Sequence, residues 1–188
     1  SPLAASKNGE DRSICGDCKF RGDVTSDPKR KQAKNRTCYV NLGHGPTIVY
    51  KAFKRGVYPM ANNHASRVEL GEARVVRLGT YGDPAAVPSY VWDELLTECE
   101  SHLAYSHQSG FRPDIAMQSA DNITEARMHW ALGSRTFRVI DAVEQVDKIK
   151  EILCPASKEA GRRVQCVKCQ LCSGLASSSK KSIAIVAH

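Results

Sequence analysis

Apolar residues in this chain fall into short runs of two textures, and their order predicts a wound body of strands and helices. Thr47-Ile-Val-Tyr-Lys-Ala-Phe53 is β-branched and aromatic and predicts a strand. Arg74–Leu78 predicts another, ending in the loop chemistry of Gly79-Thr-Tyr-Gly-Asp-Pro84. From Pro88-Ser89, apolar residues at Trp92, Leu95, Leu96, Cys99 and Leu103 follow helical spacing. Short strands are expected at Leu103–Ser106 and Ile115–Gln118. A helix is expected at Thr124–Leu132 with Gly133 as its stop, and a strand at Thr136–Ile140. Val143, Val146, Ile149, Ile152 and Leu153 share one side of an expected helix over 143–153. Ser182–Ala187 reads as the last strand, reached through a flexible connector, 173–181. Residues 1–37 lack periodicity and read as an irregular arm ordered by metal rather than by a core.

Strands alternating with helices call for parallel pairing and right-handed crossovers. The expected fold is therefore α/β, either a partial TIM-like barrel or an open twisted parallel sheet. A complete eightfold barrel needs about 250 residues, more than the 188 here. The predicted division is a cysteine-containing basic arm, 1–46, and a βα core, 47–188, that includes a four-cysteine loop at 154–172. No internal repeat is visible. No apolar run approaches the roughly 20 residues that cross a membrane, and Ser1–Ser6 does not read as a secretory leader.

Charge adds one asymmetry to a net +7. Residues 1–60 hold twelve Lys and Arg against five Asp and Glu, so all the excess lies there and the remainder balances. It concentrates in Lys29-Arg30-Lys31-Gln-Ala-Lys34-Asn-Arg36, a segment suited to a nucleic-acid backbone or to plain solvation.

Cysteine spacing carries the chemistry. The eight cysteines divide into a group of three (Cys15, Cys18, Cys38), a lone Cys99 expected to be a small buried hydrophobe, and a group of four (Cys154-Pro, Cys166-x2-Cys169-x2-Cys172). Thiolates two residues apart converge on one centre, and four complete the coordination of zinc or of a cubane iron–sulfur cluster. The C-terminal run is closer to four-iron wiring, with its Cys-Pro placed before instead of after. A [4Fe–4S] cluster is the expected cofactor and Zn2+ the alternative. The group of three either takes His44 or His64 as a fourth ligand or leaves a position open to a small ligand. Metal-spaced thiols argue for a reducing compartment, hence the cytoplasm.

In parallel α/β folds, reactive groups gather where strands end. Those positions supply Arg77, Tyr81, Asp83, His107 and Asp121 as substrate-contacting or catalytic candidates. Gly79, Gly82, Ser119 and Arg138 are the cofactor-binding candidates, with Gln108, Asp141 and His188 on the same rim. The 79–84 loop lacks the spacing of a P-loop or a dinucleotide fingerprint, and no Ser-His-Asp or Cys-His arrangement has a recognisable context. Asp93/Glu94 and Glu98/Glu100 are assigned to a helix surface.

The order Cys-x2-Cys, Cys-Tyr, Arg-Leu-Gly-Thr-Tyr-Gly-Asp-Pro-Ala-Ala-Val-Pro, Tyr-Ser-His-Gln and Cys-x2-Cys-x-Leu-Cys resembles a group of phage and mobile-element proteins, themselves similar to radical S-adenosylmethionine barrels. The resemblance runs from Cys15 to the end. It implies a partial TIM-like barrel with cysteines near the N-terminal entry, and S-adenosylmethionine as a further cofactor, since radical S-adenosylmethionine enzymes leave the fourth iron of a three-thiol cluster to it. The x2 and x19 spacing of Cys15, Cys18 and Cys38 departs from the C-x3-C-x2-C loop of those enzymes. Three functions follow as expectations: a metal- or iron–sulfur-dependent enzyme, a zinc-stabilised nucleic-acid or protein-binding module, and a component of a larger phage assembly in the host cytoplasm.

Overall fold

The computed structural model describes residues 1–162 and 164–187. Its helices are α1 (Pro2–Asn8), α2 (Arg12–Cys15), α3 (Gly45–Lys54), α4 (His64–Gly71), α5 (Ser89–Leu96), α6 (Ile123–Ala131) and α7 (Cys166–Cys169). Its strands are β1 (Val75–Arg77), β2 (Ser101–Leu103), β3 (Tyr105–Ser106), β4 (Met117–Ala120), β5 (Thr136–Ile140), β6 (Glu151–Leu153) and β7 (Ser182–Val186). Every pairing between these strands is parallel.

β1 pairs with β2, and the other five run in the order β3-β4-β5-β7-β6. Ala104 joins the two sheets. Its carbonyl accepts from Met117 N at 3.0 Å, as a strand residue would, but its N–H donates to Cys172 O at 2.8 Å. The C-terminal cysteine loop thus supplies one rung between β2 and β3. The sheet is open, and β7 lies between β5 and β6, whereas a barrel arc keeps its strands in chain order.

One face of the sheet carries α6. Asn122 caps that helix through its side chain, which accepts from Glu125 N. Trp130 Nε1 then donates to Thr136 Oγ1 and Ser182 Oγ at 2.9 Å each. On β5 the residues Thr136, Arg138 and Ile140 are buried, while Phe137 and Val139 alternate with them toward the other face. α5 closes the β1–β2 end, where Trp92, Leu95 and Leu96 pack on Leu78, Ala104, Ile115 and Ala116.

Two predicted elements change type. Residues 47–53 form α3 rather than a strand. Pro46 sits in the first turn, where a missing N–H costs nothing. Thr47 Oγ1 donates to Leu42 O, and among the described residues no strand lies alongside to pair with. Residues 143–153 form a single turn of 3-10 helix (Val143–Gln145) and then β6. Asp147 Oδ1 accepts from Ile149 N and Lys150 N at 3.0 Å each, which turns the chain and ends the helical path.

The connector 173–181 is pinned, not loose. Buried Arg135 donates to Gly174 O and twice to Lys181 O. A Cβ on Gly174 would lie 2.5 Å from Pro113 O. The arm holds two short helices, α1 and α2, braced by a salt bridge from Arg21 to the buried Asp11 at 2.6 Å. No helix among the described residues is long and apolar enough to cross a membrane.

Candidate functional site

Between the uncovered sheet face and two cysteine loops lies a cleft of about 730 Å³. The floor is apolar: Leu103, Tyr105, Phe137, Val139, Ile183 and Ile185. Seven cysteines line it, namely Cys15, Cys18, Cys38, Cys154, Cys166, Cys169 and Cys172. Cys99 does not. It sits half-buried beyond α5, where it forms an isolated bridge with Glu72. The arm supplies one wall and the 154–172 loop the other, so groups 116 residues apart in sequence (Cys38 to Cys154) share one space.

Each loop is held by contacts the sequence encodes. Cys154 directly follows β6, and its N–H donates to Ala184 O at 2.8 Å. Cys172 and Cys154 are buried with Leu103, Met117 and Ile183. On the arm, Arg36 Nη1 donates to Cys38 O and Val40 O. Asp83 N donates to Ile14 O at 2.5 Å, which ties the arm to the loop after β1.

All eight cysteines are free thiols. Burial, with neighbouring Asp11, Cys18 and Cys38 adding to it, pushes Cys15 up to about 12, and burial above all pushes Cys172 up to about 12. Burial also raises Cys18 and Cys154. Among the described residues, no three His, Cys, Asp or Glu side chains are already drawn together in metal-ligand geometry. The donor set is nevertheless all sulfur, the chemistry that zinc and iron–sulfur clusters take. His44 and His64 stand away from this cleft. His44 is at the start of α3, and His64 pairs with Glu94 at 3.5 Å.

The rim residues divide by what they touch. Arg77, Gly79, Tyr81, Gly82, Asp83, His107, Ser119 and Asp121 all line the cleft. Gly79 and Gly82 have φ of +66° and +96°, and added Cβ atoms would press on Pro84 and Ile14. They shape the loop as well as line the space. Asp83 is fully engaged: Oδ1 accepts from Ala85 N and from Ser106 Oγ, and Oδ2 from His107 N. It is a brace, with little capacity left for proton transfer.

His107 packs edge-on against Phe20 and lies 3.9 Å from Asp121 Oδ1. Burial lowers its pKa, more than Asp121 and Asp83 raise it. A neutral imidazole beside a carboxylate can accept a proton. Asp121 also pairs with Lys19 at 3.1 Å. His107, Ser119 and Asp121 separate the cleft from a smaller cavity of about 280 Å³ that Glu125 and His129 also line.

Arg138 is the correction. It points to the opposite face, 4% exposed, and donates to both oxygens of Glu151, itself 2% exposed. It binds the fold, not a cofactor. Gln108 lies behind Ser106, and Asp141 N donates to Gln145 Oε1. His188 lies outside the described residues. Glu94, expected on a helix surface, lies on α5 outside the cleft and pairs with Arg67.

Sequence reasoning missed the apolar floor and Ser157. The period-2 alternation of Phe137 and Val139 marked a two-faced strand, which was the available signal. Ser157 is 4% exposed, lines the cleft, and its Oγ has no hydrogen-bond partner.

In the basic segment, Lys29, Arg30, Lys31 and Lys34 are exposed, whereas Ala33 is buried and Arg36 is turned inward. Comparison of the chain with protein-family models, curated proteins and solved structures gives no match.

Proposed function

We propose that the chain is an iron–sulfur-dependent enzyme, radical-SAM-like in kind, whose working site is the thiol-lined cleft. One observation carries this reading: seven of eight cysteines line a single cleft at the strand-end rim, and the one left out is the lone Cys99. Thiols kept for packing alone have no reason to gather around an open space.

In this reading Cys154, Cys166, Cys169 and Cys172 hold a closed four-thiolate centre. Cys15, Cys18 and Cys38 hold a second centre with one position facing the cleft. A cluster with an open iron supplies electron transfer and a site for a small ligand such as S-adenosylmethionine. The protein's own residues do the rest. The floor strands exclude water from the cleft. Asp83 fixes the backbone of His107, and His107 accepts a proton at its ring nitrogen with Asp121 alongside. The open parallel sheet then acts as the platform whose face toward the cysteine loops holds the chemistry.

Anaerobic purification with iron, sulfide and zinc analysis tests the proposal. Iron with matching sulfide and a broad visible sulfur-to-iron absorbance is the expected result. Colourless protein carrying stoichiometric zinc overturns it.

The exposed Lys29, Arg30, Lys31 and Lys34 favour a second reading. There zinc fills the same thiols, the arm grips a nucleic-acid backbone and no catalysis occurs. Affinity for duplex or single strands then falls steeply with salt, and binding indifferent to salt removes this reading.

A further inference from the structure

Arg77 ends β1 at the mouth of the cleft, and unlike Arg36, Arg74 and Arg135, which donate to backbone carbonyls, it is not spent on the main chain. Arg12, Arg21, Arg67, Arg112 and Arg138 each meet a carboxylate. Arg77 forms no ion pair among the described residues. It is held instead by aromatic groups: the guanidinium lies 5.6 Å from the Tyr39 ring centre and 5.4 Å from that of Tyr105. Nη2 donates to Tyr39 Oη at 2.5 Å.

Two rings thus lie against the fork, one of them the exposed Tyr39, while most of its donors stay free. The carboxylates that line the cleft are engaged elsewhere, Asp83 by Ser106 Oγ and two backbone N–H groups, Asp121 by Lys19. Beyond Arg77 the cleft offers the apolar surface of Tyr105, Phe137, Val139, Ile183 and Ile185. The far loop adds a second cation, Lys158, beside the buried, partnerless Ser157 Oγ.

We infer that the cleft binds a substrate with an apolar body and an oxyanion, a carboxylate or a phosphate monoester, and that Arg77 grips that oxyanion with its planar fork. This deepens the proposed function, since it takes the same cleft as the working site, but its evidence is the arginine and not the thiols. A volume of about 730 Å³ lies within the usual range for small-molecule sites, roughly 300–1,000 Å³. A fork that needs no partner-breaking before it binds makes charge-assisted hydrogen bonds at low ordering cost.

The test uses the purified protein with its native metal content, measured in each sample. Octanoate and octyl phosphate are titrated by calorimetry against wild type, Arg77→Gln and Arg77→Lys, with octanamide as the neutral control. Saturable one-to-one binding of the anions is expected, weakened about 10- to 100-fold by Arg77→Gln. Arg77→Lys should fall between, because charge is kept and the fork is lost. Octanamide should bind weakly to all three proteins. Whether octanoate or octyl phosphate binds tighter identifies the oxyanion.

Anion binding unchanged in Arg77→Gln, or octanamide binding as well as octanoate, overturns the inference. So does loss of metal in Arg77→Gln, which would make the arginine a support of a thiol centre and leave the proposed function standing. Wild type that lacks metal but binds octanoate through Arg77 removes the iron–sulfur reading and keeps the anion site.

Discussion

Arg138→Met should be among the most damaging single changes in this protein. Arg138 reaches from β5 across β7 to the edge strand β6. It passes over Ala184, its Cα partner on β7, whose methyl group leaves room for the guanidinium. Nε meets Glu151 Oε1 at 2.9 Å, and Nη2 meets Oε2 at 2.6 Å and Gln145 O at 2.8 Å. The substitution leaves a carboxylate 2% exposed with one remaining donor, Asp147 N. Breaking one partner of such a pair costs about 3–5 kcal/mol. At roughly 2–4 °C per kcal/mol for a chain of this size, the melting temperature should drop by about 6–20 °C. Arg138→Met with Glu151→Leu removes the stranded charge and should recover most of the loss. Thermal and urea melts followed by circular dichroism read both proteins. Because β6 runs directly into Cys154, metal content should fall in the single variant and return in the double. A single variant that melts within about 2 °C of wild type, or a double no better than the single, refutes the reasoning.

The other expectations can be checked with the same protein stock. Cys169→Ser should lower both metal content and melting temperature, because metal-binding free energy is also folding free energy. Cys99→Ser should leave metal content intact, and if it does not, the partition of the thiols is wrong. Gly71→Ala places a Cβ 1.8 Å from Leu95 O, where α4 crosses α5. Overpacking of this kind costs about 1–3 kcal/mol, so a melt indistinguishable from wild type contradicts the close approach. His102 is 8% exposed, its Nε2 lies 2.8 Å from Ile115 O, and burial lowers its pKa from 6.5. The unfolded chain therefore takes up the proton first. Stability from this group is full above pH 6.5 and is lost as pH falls toward the lower folded value. Urea midpoints measured down that range should decline less in His102→Gln than in wild type.

Spacing within the chain determined the local facts. Thr136–Ile140 and Ser182–Val186 are strands where alternation and β-branching put them, and α6 ends before Gly133 as its stop signal requires. The separation of Cys99 from the other seven was also legible, since x2 spacing is a local geometric requirement. Long-range partners decided the rest. Residues 47–53 have strand composition but, among the described residues, no strand beside them, and Pro46 with Thr47 turns them into α3. Glu151 reads as one turn of a surface helix until Arg138, thirteen residues earlier, draws it inside. Arg138 and Arg77 look alike in sequence, each on a predicted strand, and only the alternation of faces across the assembled sheet sends one into the core and the other over the cleft. That the arm and the 154–172 loop close on a common space depends on the insertion of β7 between β5 and β6 and on the Cys172 carbonyl bound to Ala104. Pairing energies between segments far apart in sequence carry no signature in either segment alone. A chain therefore announces its grouped thiols by spacing, while the space they surround exists only once the sheet is formed.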